Sequence, residues 1–145
     1  VHLTGSRDAQ RVRERYLELG TPAEVLPFVS DMVSLYIQSG LAICRGGAST
    51  LAELACAGIP AVVYPHPGAV RQHQLRNAEQ YASEGGVVVL HETAVPEAAR
   101  ELSGHLKRLL EETATRERMA IQQHRQARPR AAEEIAAAIL KHFPG

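Results

Sequence analysis

Short apolar runs alternate with segments of helical period, and this alternation restricts the fold more than any other feature of the chain. Val1-His2-Leu3, Glu24-Val25-Leu26, Leu41-Ala42-Ile43-Cys44, Ala61-Val62-Val63-Tyr64 and Val87-Val88-Val89-Leu90 are each too short for a core helix and read as strands. Residues 8 to 19, 31 to 38, 50 to 57 and 73 to 83 carry apolar side chains at three- and four-residue spacing, as a helix buried on one face requires. Parallel strands need crossover connections, and right-handed crossovers lay helices over the sheet. The expectation is therefore an α/β fold, a parallel sheet with helices on both faces. After residue 92 the strands stop, and 94 to 111, 116 to 126 and 131 to 142 read as helices, with Pro129 in the first turn of the last.

With 145 residues, 45% of them hydrophobic, the chain is expected to fold as one domain. Lys and Arg balance Asp and Glu at 16 each, so no excess of basic side chains points to a nucleic-acid partner. No apolar run approaches the roughly 20 residues needed to span a bilayer. Cys44 and Cys56 lie on apolar segments outside any CxxC and read as reduced packing thiols. His66 and His73 have no third ligand nearby, so no metal is expected.

In parallel α/β sheets ligands bind beyond the carboxyl ends of the strands, so the loops that follow strands hold the candidates. Cys44-Arg45-Gly46-Gly47-Ala48-Ser49-Thr50-Leu51-Ala52-Glu53 runs from a strand through paired glycines into a helix. Glycines admit close approach of a ligand, and unpaired N–H groups at a helix start hold phosphate without metal. Ser49 and Thr50 add hydroxyls, and Arg45 adds charge. Glu53 has two readings: acceptor for vicinal ribose hydroxyls, or closure of a Thr50-Leu51-Ala52-Glu53 capping box. In the next loop, Tyr64 to Asn77, the side chains of His73, Gln74 and Asn77 fall within about one helical turn and suit a polyhydroxylated ligand, although an ordinary polar helix start has the same composition. In Pro27-Phe28-Val29-Ser30-Asp31-Met32, Ser30 or Asp31 is a helix cap, while the Val29 backbone is placed to bond a flat base.

Taken together, Pro27 to Met32, Cys44 to Glu53, Gly58-Ile59-Pro60-Ala61 and His73-Gln74-Leu75-Arg76-Asn77-Ala78 resemble the donor-binding half of the family-28 glycosyltransferases. The ordered R-x-G-A-x-T-x-x-E and HQ-x-x-N-A patterns carry the resemblance, which extends more weakly over nearly the whole chain.

The resemblance implies a GT-B architecture, two Rossmann-like domains facing a cleft, with UDP-GlcNAc held by the C-terminal one and no cofactor. Its roles fall on Val29 (uracil, through the backbone), Glu53 (ribose), Ala48, Ser49 and Thr50 (diphosphate), Arg45 (their support), and His73 with Gln74 (sugar), while Asn77 is counted with the donor-binding residues. It further implies an inverting transfer of GlcNAc to undecaprenyl-diphospho-muramoyl-pentapeptide, in the cytoplasm at the inner face of the plasma membrane. Residues 1–145 are then expected to be a donor domain truncated at its start, lacking the Gly-Gly-Ser loop and the N-terminal acceptor domain, and inactive alone.

Gly40, where an acidic residue is common, and His66-Pro67-Gly68 depart from the family pattern and bear on the identity of the sugar. Another UDP-sugar enzyme, such as a glycolipid glycosyltransferase or an epimerase, and a nucleotide-binding subunit that works through a partner chain, are the competing expectations.

Overall fold

The computed structural model describes residues 1–66, 73–91 and 94–143, and the chain divides into two compact units, Val1–Ile37 and Gln38–Gly145. The first unit contains β1 (His2–Leu3), α1 (Ala9–Glu18), β2 (Val25–Leu26) and α2 (Met32–Ile37). Strands β1 and β2 are parallel, with His2 opposite Val25 and Leu3 opposite Leu26. Ala9 and Val25 are its buried apolar residues, and the Arg13 guanidinium ties α1 to the sheet by donating to the Val25 carbonyl at 3.1 Å. Asp31 caps α2: its carboxylate accepts from the Ser34 N–H at 3.1 Å and the Ser34 hydroxyl at 2.5 Å. Those bonds, the hydroxyl's first, hold the Asp31 carboxyl below its ordinary pKa.

The second unit contains β3 (Ala42–Cys44), α3 (Ala48–Ala57), β4 (Ala61–Val63), α4 (His73–Ser83), β5 (Val87–Val89), α5 (Val95–Glu111), α6 (Thr113–Gln126) and α7 (Ala131–His142). Its sheet has the order β3-β4-β5, all parallel, with Cys44 opposite Val63 and Val63 opposite Val89. Ala61, Val62 and Val63 are all fully buried. Because alternate residues of a strand face opposite sides, this central strand is covered on both faces. Val62 packs with Leu90, Leu109 and Met119, with Leu102 and Leu106 against them, which makes α5 and α6 the cover on one side.

Helix α3 ends at Gly58, whose left-handed φ of +66° lets its N–H bond the Ala55 carbonyl and the next N–H, of Ile59, bond that of Leu54. That sharp stop delivers the chain into β4 within three residues.

Several expectations need correction. The strands are parallel, as expected, and pair as β1-β2 and β3-β4-β5; the differences lie in the bounds of the helices and in the surroundings of single residues. Helix α3 begins at Ala48, two residues earlier than its apolar period indicates, because Gly47 already accepts the first helical bond, from Leu51 N–H at 3.0 Å. Helix α6 begins at Thr113 rather than 116. The side chain of Arg116 folds back onto the Leu109 and Leu110 carbonyls and caps the end of α5, so the two helices meet within one residue. Pro129 stands ahead of the last helix and not in its first turn; the proline within a first turn is Pro96, in α5. Cys44 is partly buried as a packing thiol, but Cys56 is exposed.

Candidate functional site

The carboxyl ends of β3 and β4 lie side by side. The pairing of Cys44 with Val63 continues through a bond from Tyr64 N–H to the Cys44 carbonyl at 2.9 Å, which brings the next residue, Arg45, alongside Tyr64. The Arg45 guanidinium donates to the Tyr64 carbonyl at 3.1 Å and lies over its ring, 4.8 Å from the centroid. Stacking occupies the face of a guanidinium and leaves donors around its edge, so Arg45 is held in place while still able to meet an anion. Tyr64 was not among the residues singled out in the sequence. The signal was present, an aromatic at the end of the strand next to the one that carries the arginine.

The two glycines that follow have different tasks. A Cβ built on buried Gly46 would sit 2.1 Å from the Gln74 carbonyl oxygen and 2.8 Å from its carbon, so this glycine exists for the contact between the β3–α3 loop and the first turn of α4. Gly47 has an ordinary φ of −69° and ψ of 133°, and a Cβ there would meet nothing nearer than Thr50 Oγ1 at 3.8 Å. Among the described residues, neither its conformation nor its neighbours require glycine.

Gly47 is the N-cap of α3 and supplies no side chain. The N–H groups of Ala48, Ser49 and Thr50 therefore head a ten-residue helix at the positive end of its dipole, a setting that suits an anion. Since Thr50 is the third residue of α3, the Thr50-to-Glu53 capping box does not form. Glu53 lies on the exposed surface of the same helix, just under one turn past Thr50.

Helix α4 begins at His73, which is exposed; residues 67–72, including the Pro67 and Gly68 departure, lie outside the described residues. Gln74 accepts the His66 N–H at its Oε1, 2.9 Å away, and so orients its amide. Asn77, one turn further on, donates from Nδ2 to the Gly46 carbonyl at 3.3 Å. The first turn of α4 thus grips both loops. Structure brings Arg45, Ala48, Ser49, Thr50, Gln74 and Asn77 onto the two neighbouring loops and the helix starts that follow them. Val29, half-buried, belongs to the first unit, which is described by itself.

Burial pushes the Cys44 thiol up to about 11, so it is protonated and unreactive at neutral pH. Among the described residues no group of three or more His, Cys, Asp or Glu is placed to hold a metal ion, and no helix is long and apolar enough to cross a membrane.

Residues 1–135 match the model of the glycosyltransferase family 28 C-terminal domain. The UDP-N-acetylglucosamine--N-acetylmuramyl-(pentapeptide) pyrophosphoryl-undecaprenol N-acetylglucosamine transferase of Alkalilimnicola ehrlichii is 39% identical over 140 residues, 97% of this chain and 39% of the relative. The protein of the same name from Stutzerimonas stutzeri is 39% identical over 134 residues, 92% of this chain and 37% of the relative. The crystal structure of Acinetobacter baumannii MurG superposes with a TM-score of 0.81 at 32% identity, covering 97% of this chain and 40% of that one. The chain thus spans about two fifths of the length of these relatives. A family match across residues 1–135, joined to a parallel α/β unit that presents an uncapped helix start beside a clamped arginine, places the chain in the glycosyltransferase family 28 C-terminal domain family.

Proposed function

We propose that this chain is the donor-binding domain of an inverting glycosyltransferase that uses UDP-GlcNAc and passes GlcNAc to undecaprenyl-diphospho-muramoyl-pentapeptide. The observation that carries the reading is the start of α3: an N-terminus without a side-chain cap at the carboxyl end of β3, entered through a glycine that no contact among the described residues requires. Helix starts of this kind hold diphosphate without a metal. The names of the relatives from A. ehrlichii and S. stutzeri supply the donor and the acceptor class.

In this reading Ala48, Ser49 and Thr50 hold the diphosphate and the stacked Arg45 adds charge beside it. Glu53 accepts the ribose hydroxyls, the Val29 backbone meets uracil, and His73, Gln74 and Asn77 stand on the sugar side. Because Gln74 Oε1 is engaged by His66 N–H, its amide Nε2 is the end that donates to a sugar hydroxyl.

Chemically, an acceptor hydroxyl attacks the anomeric carbon from the face opposite the leaving group. The C1–O bond to the diphosphate breaks as the new glycosidic bond forms, and UDP departs with the electron pair. The work assigned to this chain is stabilising charge on the leaving diphosphate and fixing the anomeric carbon in line. Acceptor and general base are assigned to the remainder of the full-length enzyme, acting at the cytoplasmic membrane face.

Calorimetric titration of the chain with UDP, UDP-GlcNAc and ADP, with and without magnesium, tests the donor assignment. Metal-independent binding that prefers uridine nucleotides is expected. Equal affinity for ADP, or a requirement for magnesium, would overturn it.

A further inference from the structure

We infer that the outer face of α6, formed by Arg118, Ile121 and Arg125 with Arg128 just beyond, docks an acidic polypeptide segment of another protein. Charge is balanced over the whole chain but not along it. Residues 113–130 hold five arginines, at 116, 118, 125, 128 and 130, against one carboxylate, Glu117. Two of the five are used within the fold: Arg116 caps the end of α5, and Arg130 pairs with Glu133 at 2.6 Å.

The other three are left unneutralised. Arg118 donates to the Thr115 hydroxyl at 2.8 Å and Arg125 to Gln122 Oε1 at 3.5 Å, both neutral partners. Among the described residues no carboxylate stands within ion-pair distance of Arg118, Arg125 or Arg128. Elsewhere the chain does the opposite. Exposed Arg11, Arg15 and Arg100 each hold a carboxylate three residues away, on Asp8, Glu18 and Glu97, at 2.7, 2.9 and 2.9 Å.

The three free cations are also aligned. Arg118, Ile121 and Arg125 recur at three- and four-residue spacing and so share one side of the helix, nearly opposite buried Met119 and Gln123. The two arginines stand two turns apart, about 10 Å, with the side chain of Ile121, 54% exposed, between them. From behind, Gln123 Nε2 donates to the Ile59 carbonyl at 2.9 Å and Gln126 Nε2 to the Tyr81 carbonyl at 3.3 Å, which fixes this face against the turns ahead of β4 and β5. A Cβ on Gly58, the C-cap of α3, would strike the His124 ring, so α6 ends beside the end of α3. The start of α3 is a ten-residue helix away, about 15 Å.

A bilayer of anionic lipid and an acidic protein segment both carry the complementary charge, and two observations favour the segment. Bilayers take up a helix through a broad apolar face, whereas one apolar side chain stands among these arginines. The face also lies at the amino end of the strands, where a bilayer would hold the opposite edge away from any lipid-linked ligand. Carboxylates of a peptide, by contrast, meet guanidinium forks bidentately, and a single apolar side chain between them covers Ile121. Docking here leaves the carboxyl edge of the sheet open.

The test titrates the chain at low salt with two synthetic peptides, one all glutamate and one with a central leucine, and maps binding by ¹⁵N–¹H NMR; cosedimentation with phosphatidylglycerol vesicles runs beside it. Amides of residues 118 to 128 are expected to shift with both peptides, and the shifts to vanish at about 1 M salt. Replacing Arg118, Arg125 and Arg128 together by Gln should weaken both peptides about tenfold, the sum of three surface ion pairs. Replacing Arg11, Arg15 and Arg100 by Gln removes the same charge and should change little. Ile121→Ser keeps every charge and should weaken only the leucine peptide. Circular dichroism checks that each variant is folded.

Equal losses in the two triple variants would overturn the inference in favour of net charge alone. Shifts centred on Arg45 and the start of α3 would assign the peptides to the candidate site instead. Sedimentation with vesicles by a chain that ignores both peptides would make the face a bilayer contact, and an unresponsive α6 in the parent at low salt overturns the inference outright.

Discussion

Gly46→Ala tests the junction on which the candidate site is built. The added methyl would lie 2.1 Å from the Gln74 carbonyl oxygen, 2.8 Å from its carbon and 3.1 Å from its Cα. All three atoms are backbone in the first turn of α4, so no side-chain rotation relieves the clash. Loop and helix must separate by about 1 Å, an overpacking whose usual cost is about 1–3 kcal/mol. The same movement stretches the Asn77 bond to the Gly46 carbonyl, already 3.3 Å long. Its loss adds about 1 kcal/mol. The sum, about 2–4 kcal/mol, corresponds to a fall in Tm of roughly 5–15 °C for a chain of this size.

Thermal and urea unfolding followed by circular dichroism, with UDP titration of the folded variant, measure both consequences. Gly47→Ala is the control in the opposite sense: its methyl meets only Thr50 Oγ1 at 3.8 Å, so stability falls by about 1 kcal/mol, the usual cost of alanine at a helix N-cap, while UDP binding is lost. A Gly46→Ala protein within about 0.5 kcal/mol of the parent, with unchanged UDP affinity, would refute the reasoning, since the loop would then have slack.

Three further outcomes are expected. Glu53→Ala should weaken UDP and uridine alike by about tenfold, as isothermal calorimetry of both ligands would measure. Gln74→Glu keeps an oxygen for the His66 N–H but removes the amide donor, so UDP-GlcNAc should weaken while UDP binding and stability hold, whereas Gln74→Ala should also loosen the loop; affinities for the two ligands in each variant decide it. At pH 8 iodoacetamide should modify exposed Cys56 first. Cys44, with its thiol near 11, should react about a hundredfold more slowly than an ordinary thiol, faster as pH rises toward that value and fastest in urea, as peptide mass spectrometry would record.

What the sequence makes legible is what depends on local period, and what it hides is set by register. All five strands and all seven helices are found near their expected places because a short apolar run and a 3.6-residue stripe are properties of a short window. Asp31 as the cap of α2 was readable for the same reason. The start of α3 was not: Gly47 begins it with a backbone carbonyl and no side-chain signal, and the Thr50-to-Glu53 spacing imitates a box one turn too late.

The site shows the same division. Arg45, Ala48, Ser49 and Thr50 could be proposed from a strand–glycine–helix order alone. Tyr64 could not, because its partnership with Arg45 follows from Cys44 standing opposite Val63, a pairing made across 19 residues of sequence. The paired glycines are the sharpest case. As neighbours in a motif they invite one explanation, ligand access, but α4 packs against Gly46 and not against Gly47, so the same residue type meets a steric demand at the first position and, in the proposed reading, a binding demand at the second. The first turn of α4 makes these demands compatible: by holding the Gly46 carbonyl and the His66 N–H together, it fixes the two loops that any nucleotide-sugar at this sheet edge must touch.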